Sequence, residues 1–130
     1  MKLYLDSCIA IYIVERHVTF AIPSHVALAK WQPDEISSTD LTRVECLVLP
    51  RRNSNVALAN LFEDFLAFET VRVSLDSAVY DLTLDLRVKY KKLKTPDAVH
   101  IAAAIRHGCD MFLTNEPKLK MVTEIRVETI

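Results

Sequence analysis

The sequence predicts an α/β domain: a central parallel sheet of five strands with helices on both faces. Short apolar runs of strand length alternate with longer stretches of helical spacing. Parallel neighbours need crossover helices, which cover both faces of the sheet. The chain has 130 residues, 51% hydrophobic and 25% charged, which suffices for one core and is too apolar for a disordered chain. One domain spanning residues 1–130 is expected, because no repeat, linker or low-complexity segment interrupts it.

The elements follow in order. Residues 2–5 (KLYL) form an apolar run ending at Asp6 and read as a buried first strand. Residues 7–14 (SCIAIYIV) stay apolar, and periodicity alone cannot decide between strand and helix. The polar break at Glu15-Arg16-His17 favours a short helix capped by Asp6 or Ser7. Pro23 opens a second helical stretch that ends near Gln32-Pro33. Residues 35–37 (EIS) read as the second strand. Ser38, Thr39 and Asp40 are cap-type residues before the helical pattern TDLTRVECLVL. The run from Pro50 to Asn55 is expected to break that helix, and residues 56–67 resume helical spacing.

Residues 70–74 (TVRVS) alternate like a third strand. Asp76 or Ser77 then caps a helix running to about Lys91, with Val79, Leu82 and Leu86 as its apolar face. Thr95-Pro96-Asp97 starts another helix, with Thr95 as the cap and Pro96 at the first position. Its core face is Ala98, Ile101, Ala102 and Ile105, and Gly108 stands just past its end. Residues 110–113 and 125–128 are the fourth and fifth strands.

Charge and cysteine usage narrow the function. Sixteen Lys+Arg against 17 Asp+Glu give a net charge of −1, which excludes coating nucleic acid by bulk positive charge. Any such contact must come from a local patch. Cys8, Cys46 and Cys109 are odd in number and form no CxxC pair, which argues against a disulfide framework and a structural zinc site. Their apolar neighbours point to packing. The opening apolar run meets Asp6 too early for a secretory signal, and no run is long enough to span a membrane. A cytoplasmic protein with no membrane partner is expected.

In parallel α/β folds the working site lies outside the carboxyl ends of the strands. Asp6 directly follows the first strand, and Asn115 and Glu116 follow the fourth. The helix before strand four runs antiparallel to it, so Asp97 in its first turn lies at the same edge. Glu45 lies in the second turn of the helix after strand two. Asp110 opens a strand and belongs to the opposite edge. Four carboxylates gathered in this way repel and raise one another's pKa unless cations neutralise them. Oxygen-only ligands suit Mg²⁺ or Mn²⁺, and such a site can activate water for phosphodiester cleavage. Simpler roles stay open for each: a helix cap for Asp6, a solvated helix residue for Glu45, a dipole partner for Asp97, a turn residue for Glu116.

LYLDSCI, ISSTDLTRVECL and LKTPDAVHIAAAIRHGCDMFLTNE carry a family pattern. The chain resembles PIN-domain ribonucleases, most closely the VapC-type toxins of prokaryotic toxin–antitoxin pairs. The resemblance runs from the first strand to about residue 120. It implies a PIN-like three-layer sandwich and a metal-dependent endoribonuclease, the toxin of a type II pair. It implies that Asp6, Glu45, Asp97 and Glu116 hold one or two Mg²⁺ or Mn²⁺ ions and that a metal-bound water attacks the RNA phosphodiester. Glu116 departs from the family's usual Asp, which keeps a catalytically inactive PIN-like scaffold as the alternative. Ser7, Thr114 and Asn115 match supporting polar positions. The expected partners are RNA, either tRNA or rRNA, a cognate antitoxin and a second copy of the chain.

Basic residues supply candidate RNA contacts. Lys89, Lys91, Lys92 and Lys94 precede Asp97 and could reach phosphates, with Tyr90 to stack on a base. Arg51 and Arg52 are a similar pair. Lysines also simply favour a helix C-terminus. His107 reads as a helix cap, and His100 as a residue that packs or faces solvent. Ile9, Ile11, Ile13, Phe62 and Phe65 would suit dimer or antitoxin surfaces.

Overall fold

In the computed structural model, which describes residues 1–130, five parallel strands stand in the order β3-β2-β1-β4-β5. They are β1 (Lys2–Leu5), β2 (Glu35–Ser38), β3 (Val71–Arg72), β4 (Met111–Thr114) and β5 (Arg126–Thr129). Six helices connect them: α1 (Ser7–Val14), α2 (Ala21–Trp31), α3 (Asp40–Arg52), α4 (Val56–Phe68), α5 (Ser77–Lys89) and α6 (Thr95–Arg106). A short 3₁₀ helix, Pro117–Met121, follows β4.

Side-chain alternation along β1 and β4 divides the core. Leu3, Leu5, Met111 and Leu113 face a cluster with Ile9 of α1, Cys46 of α3 and Phe62 of α4. Tyr4 and Phe112 point the other way, into a cluster with α5 and α6. Tyr4 pairs with Phe112 in the ladder, and their rings stack with centroids 5.4 Å apart. Both central strands are buried on both faces, which explains why their sequences are unbroken apolar runs. Helix α6 is buried from Ala98 to Ala104, and its four alanines let it lie close against its neighbours.

Most predicted elements lie within a residue or two of those observed. Asp6 caps α1, accepting from the Ser7 N–H, and Asp76 caps α5, accepting from Val79 N–H at 3.1 Å. Thr39 forms a reciprocal capping box with Thr42 at the start of α3.

Some expectations fail for physical reasons. The break after α3 falls inside the expected run from Pro50 to Asn55, but the helix carries through Pro50 to Arg52. Pro50 removes only its own donor, and the Asn53 N–H still bonds Leu49 O at 3.0 Å to close the last turn. The third strand is reduced to Val71–Arg72, because this exposed edge pairs only with the end of β2. Thr95 is not the cap of α6: the helix includes it, with Lys94 in the cap position and no side-chain cap bond. Strands β4 and β5 each begin one residue later than expected. Ile9 and Phe62 are fully buried and cannot form a partner surface.

Gly108 has φ +73° just after α6, and a Cβ built on it meets nothing within 4 Å. Substitution there therefore acts through backbone conformation alone. Gly108→Ala is expected to destabilise the fold by about 1 kcal/mol in urea titration, and Gly108→Asn by less.

Candidate active site

The carboxyl edge of the sheet holds a cavity of about 670 Å³ between α1, α3, α6 and the β4 exit. Asp6, Ser7, Glu45, Asp97, Asn115 and Glu116 all line it. Ile11, Tyr12, Val44 and Val48 give it apolar flanks, and no lysine or arginine lines it. Asp110 lies at the opposite edge, accepting from the Lys2 N–H at 2.8 Å.

Each acid is held differently. Asp6 is 8% exposed, and both its oxygens are occupied. Oδ1 accepts from Ser7 N–H at 2.8 Å and Oδ2 from the Thr114 hydroxyl at 2.6 Å. Asp6 is thus helix cap and cavity wall together. Glu45 Oε1 accepts from the Ser7 hydroxyl at 2.8 Å and lies 2.5 Å from His100 Nε2, while Oε2 has no protein partner. Burial opposes ionisation of Glu45, but the His100 and Ser7 bonds outweigh it and hold the pKa below the usual value.

Asp97 is half-buried in the first turn of α6 and accepts no hydrogen bond. Burial raises its pKa, and the charges of Asp6, Glu45 and Glu116 add to the rise against a smaller opposing effect of His100. Glu116 is exposed; its Oε1 accepts from the Lys118 N–H at 3.1 Å, capping the 3₁₀ helix. Asn115 Nδ2 donates to the Tyr12 hydroxyl at 3.1 Å.

The acids face one cavity without closing on a common point: no group of three or more His, Cys, Asp or Glu stands ready to hold an ion. Glu45 is anchored on Ser7 and His100, and Glu116 separately on the Lys118 N–H. The donor set still fits a hard divalent cation. It is oxygen-only, Asp97 is half-buried with no partner, and Glu45 keeps one oxygen free.

The other candidates separate. Lys89 Nζ pairs with Glu124 at 2.5 Å, and the Tyr90 hydroxyl bonds the same carboxylate, so neither is a free phosphate or base contact. Lys91, Lys92 and Lys94 are exposed and line no part of the cavity. Arg51 and Arg52 instead line an adjoining groove that shares Val44 and Val48 with it. Cys8 borders the cavity, but burial and the Asp6 charge push its thiol up to about 12, which leaves no thiolate to act as nucleophile. His107 is the C-cap of α6, as expected.

His100 corrects the reading that it merely packs or faces solvent. It is 1% exposed, with Nδ1 2.8 Å from the Tyr4 hydroxyl and Nε2 on Glu45. Its spacing carried the signal: His100 lies three residues after Asp97, on the same face of α6.

A model of the PIN domain matches residues 3–125. The chain belongs to the PIN-domain family. Solved structures share the fold of this PIN domain at low identity. VapBC2 from Rickettsia felis, bound to a promoter DNA fragment, matches at TM-score 0.80 and 15% identity over 100% of this chain and 99% of that one. A toxin–antitoxin complex from Klebsiella pneumoniae matches at TM-score 0.74 and 21% identity, covering 95% and 98%. VapC20 of Mycobacterium tuberculosis, described as a sarcin-ricin loop cleaving toxin, matches at 0.73 and 12%, covering 95% and 98%. A search of curated protein sequences finds no match.

The raised Asp97 pKa fixes the sign of one pH effect. Above 3.8 the unfolded chain releases this proton while the folded state still holds it. Stability therefore falls as pH rises through that interval, and the loss is complete above the folded value. In EDTA, Asp97→Asn removes this contribution. Its melting temperature relative to the parent is expected to rise between pH 4 and pH 7, as scanning calorimetry would show.

Proposed function

We propose that this PIN domain is a metal-dependent endoribonuclease, the toxin of a type II toxin–antitoxin pair, which hydrolyses RNA phosphodiesters. The observation that carries the reading is the cavity wall: four carboxylates and no lysine or arginine. A phosphodiester is an anion, so this wall repels it unless a cation lies between them. Asp6, Glu45 and Asp97 would hold that ion, Mg²⁺ or Mn²⁺, with Glu116 acting through water because its carboxylate already serves as a cap. A bound divalent cation would supply charge neutralisation at the phosphate and a water acidic enough to attack at neutral pH.

The chain's own groups prepare the site. Thr114 and Ser7 fix both oxygens of Asp6 before any ligand arrives. Ser7 and His100 restrain one oxygen of Glu45 and leave the other open. Asp97 has no hydrogen bond to break on binding. Arg51 and Arg52 in the adjoining groove are the phosphate contacts this reading favours, in place of the lysines before Asp97.

Partners follow from the relatives. The Klebsiella structure is named a toxin–antitoxin complex, which supports a cognate antitoxin. An apolar groove of about 720 Å³ along α1 and α4, lined by Ile13, Leu58, Leu61 and Phe65, suits it or a second copy of the chain. The description of VapC20 as sarcin-ricin loop cleaving supports a structured RNA loop as the substrate class, with rRNA and tRNA as the candidates to test. Three free cysteines accord with a reducing cytoplasm, and no helix is long and apolar enough to cross a membrane. An inactive scaffold is the second reading, favoured by Glu116 standing where the family has Asp.

The test is cleavage of a mixed tRNA and rRNA pool by purified protein, freed of any antitoxin, with and without Mg²⁺ or Mn²⁺. The expected result is metal-dependent cleavage leaving 5′-phosphate ends, reduced at least about a hundredfold in Asp97→Asn. Absence of cleavage together with absence of metal binding would favour the scaffold.

A further inference from the structure

We infer that the buried Tyr4–His100 pair is a positioning relay that aims the Glu45 carboxylate into the cavity, holding Oε1 so that Oε2 stays available to a cation. The inference rests on the proposed role of Glu45 as a metal-holding acid.

The relay follows from proton placement. The Glu45 carboxylate can only accept, so Nε2 of His100 carries a proton toward it whether the ring is neutral or charged. In the neutral ring Nδ1 is then an acceptor, and the Tyr4 hydroxyl lies 2.8 Å away to donate. The one hydroxyl hydrogen of Tyr4 is shared with Thr39 Oγ1, which also accepts from it at 3.1 Å. Tyr4 itself belongs to the central strand and stacks on Phe112. The chain of contacts therefore runs from the most buried part of the sheet to the cavity.

Glu45 needs such a partner. Its side chain is 36% exposed in the second turn of α3 and has several rotors to restrain. Asp6 is short and doubly bonded, and Asp97 is short and sits in a helix's first turn; neither hydrogen-bonds His100. With both ring nitrogens engaged inside the protein, His100 is a positioning residue and not itself a ligand.

The test is Mn²⁺ affinity measured by calorimetry on the full chain stripped with EDTA, with folding checked by circular dichroism. His100→Leu keeps the core filled but removes the N–H, and is expected to weaken Mn²⁺ binding about 10–100-fold. His100→Gln restores an N–H donor and is expected to recover affinity to within about threefold of the parent, which a packing role would not explain. Tyr4→Phe is expected to weaken binding about 3–10-fold. Wild-type affinity in a folded His100→Leu, with binding lost in Asp97→Asn, would overturn the relay alone. Unchanged affinity in Asp97→Asn would instead overturn the metal-holding reading beneath it. If His100→Leu does not fold, the other two decide: wild-type affinity in Tyr4→Phe, or His100→Gln weakened more than tenfold, overturns the relay.

Discussion

Mutual repulsion of four carboxylates is the constraint around which this fold's functional edge is arranged. Asp6, Glu45, Asp97 and Glu116 arrive from four segments and line one cavity with no basic residue beside them. Left bare, such a cluster costs stability. The chain offsets the cost locally wherever a donor is at hand. Asp6 receives a backbone N–H and a threonine hydroxyl, Glu45 a serine and a histidine, and Glu116 the N–H of Lys118. Asp97 alone receives none; burial first, and then the neighbouring acid charges, raise its pKa.

The fold gathers the acids by topology. A parallel sheet turns every strand exit toward one edge, and a helix leading into a strand starts at that edge. Asp6 leaves β1, Glu116 leaves β4, and Asp97 opens the helix that feeds β4. Alternation along β1 then gives one strand two tasks. Leu3 and Leu5 fill the cluster under α1, α3 and α4, while Tyr4 reaches the other face and meets His100. The cavity edge and the core thus share residues, and the inferred relay from Tyr4 to Glu45 is where they join.

Much of this was legible from residue types and spacing. Strand exits, the Asp76 cap and the Gly108 stop followed from local chemistry that tertiary packing did not override. The misses involve long-range partners. Lys89 reads as a free cation, but Glu124, 35 residues away, neutralises it. Ile9 and Phe62 read as surface candidates because an apolar run does not tell which face meets the sheet. His100 shares a helix face with Asp97, but its engagement of Tyr4 and Glu45 depends on contacts 96 and 55 residues apart.

The most direct test of the central claim is an anomalous difference map from crystals of the EDTA-treated protein soaked in Mn²⁺. The expected result is a peak bounded by oxygens of Asp6, Glu45 and Asp97, at roughly 2.0–2.3 Å from each. A map with no density among these carboxylates, at Mn²⁺ concentrations that saturate any other site on the chain, would contradict it.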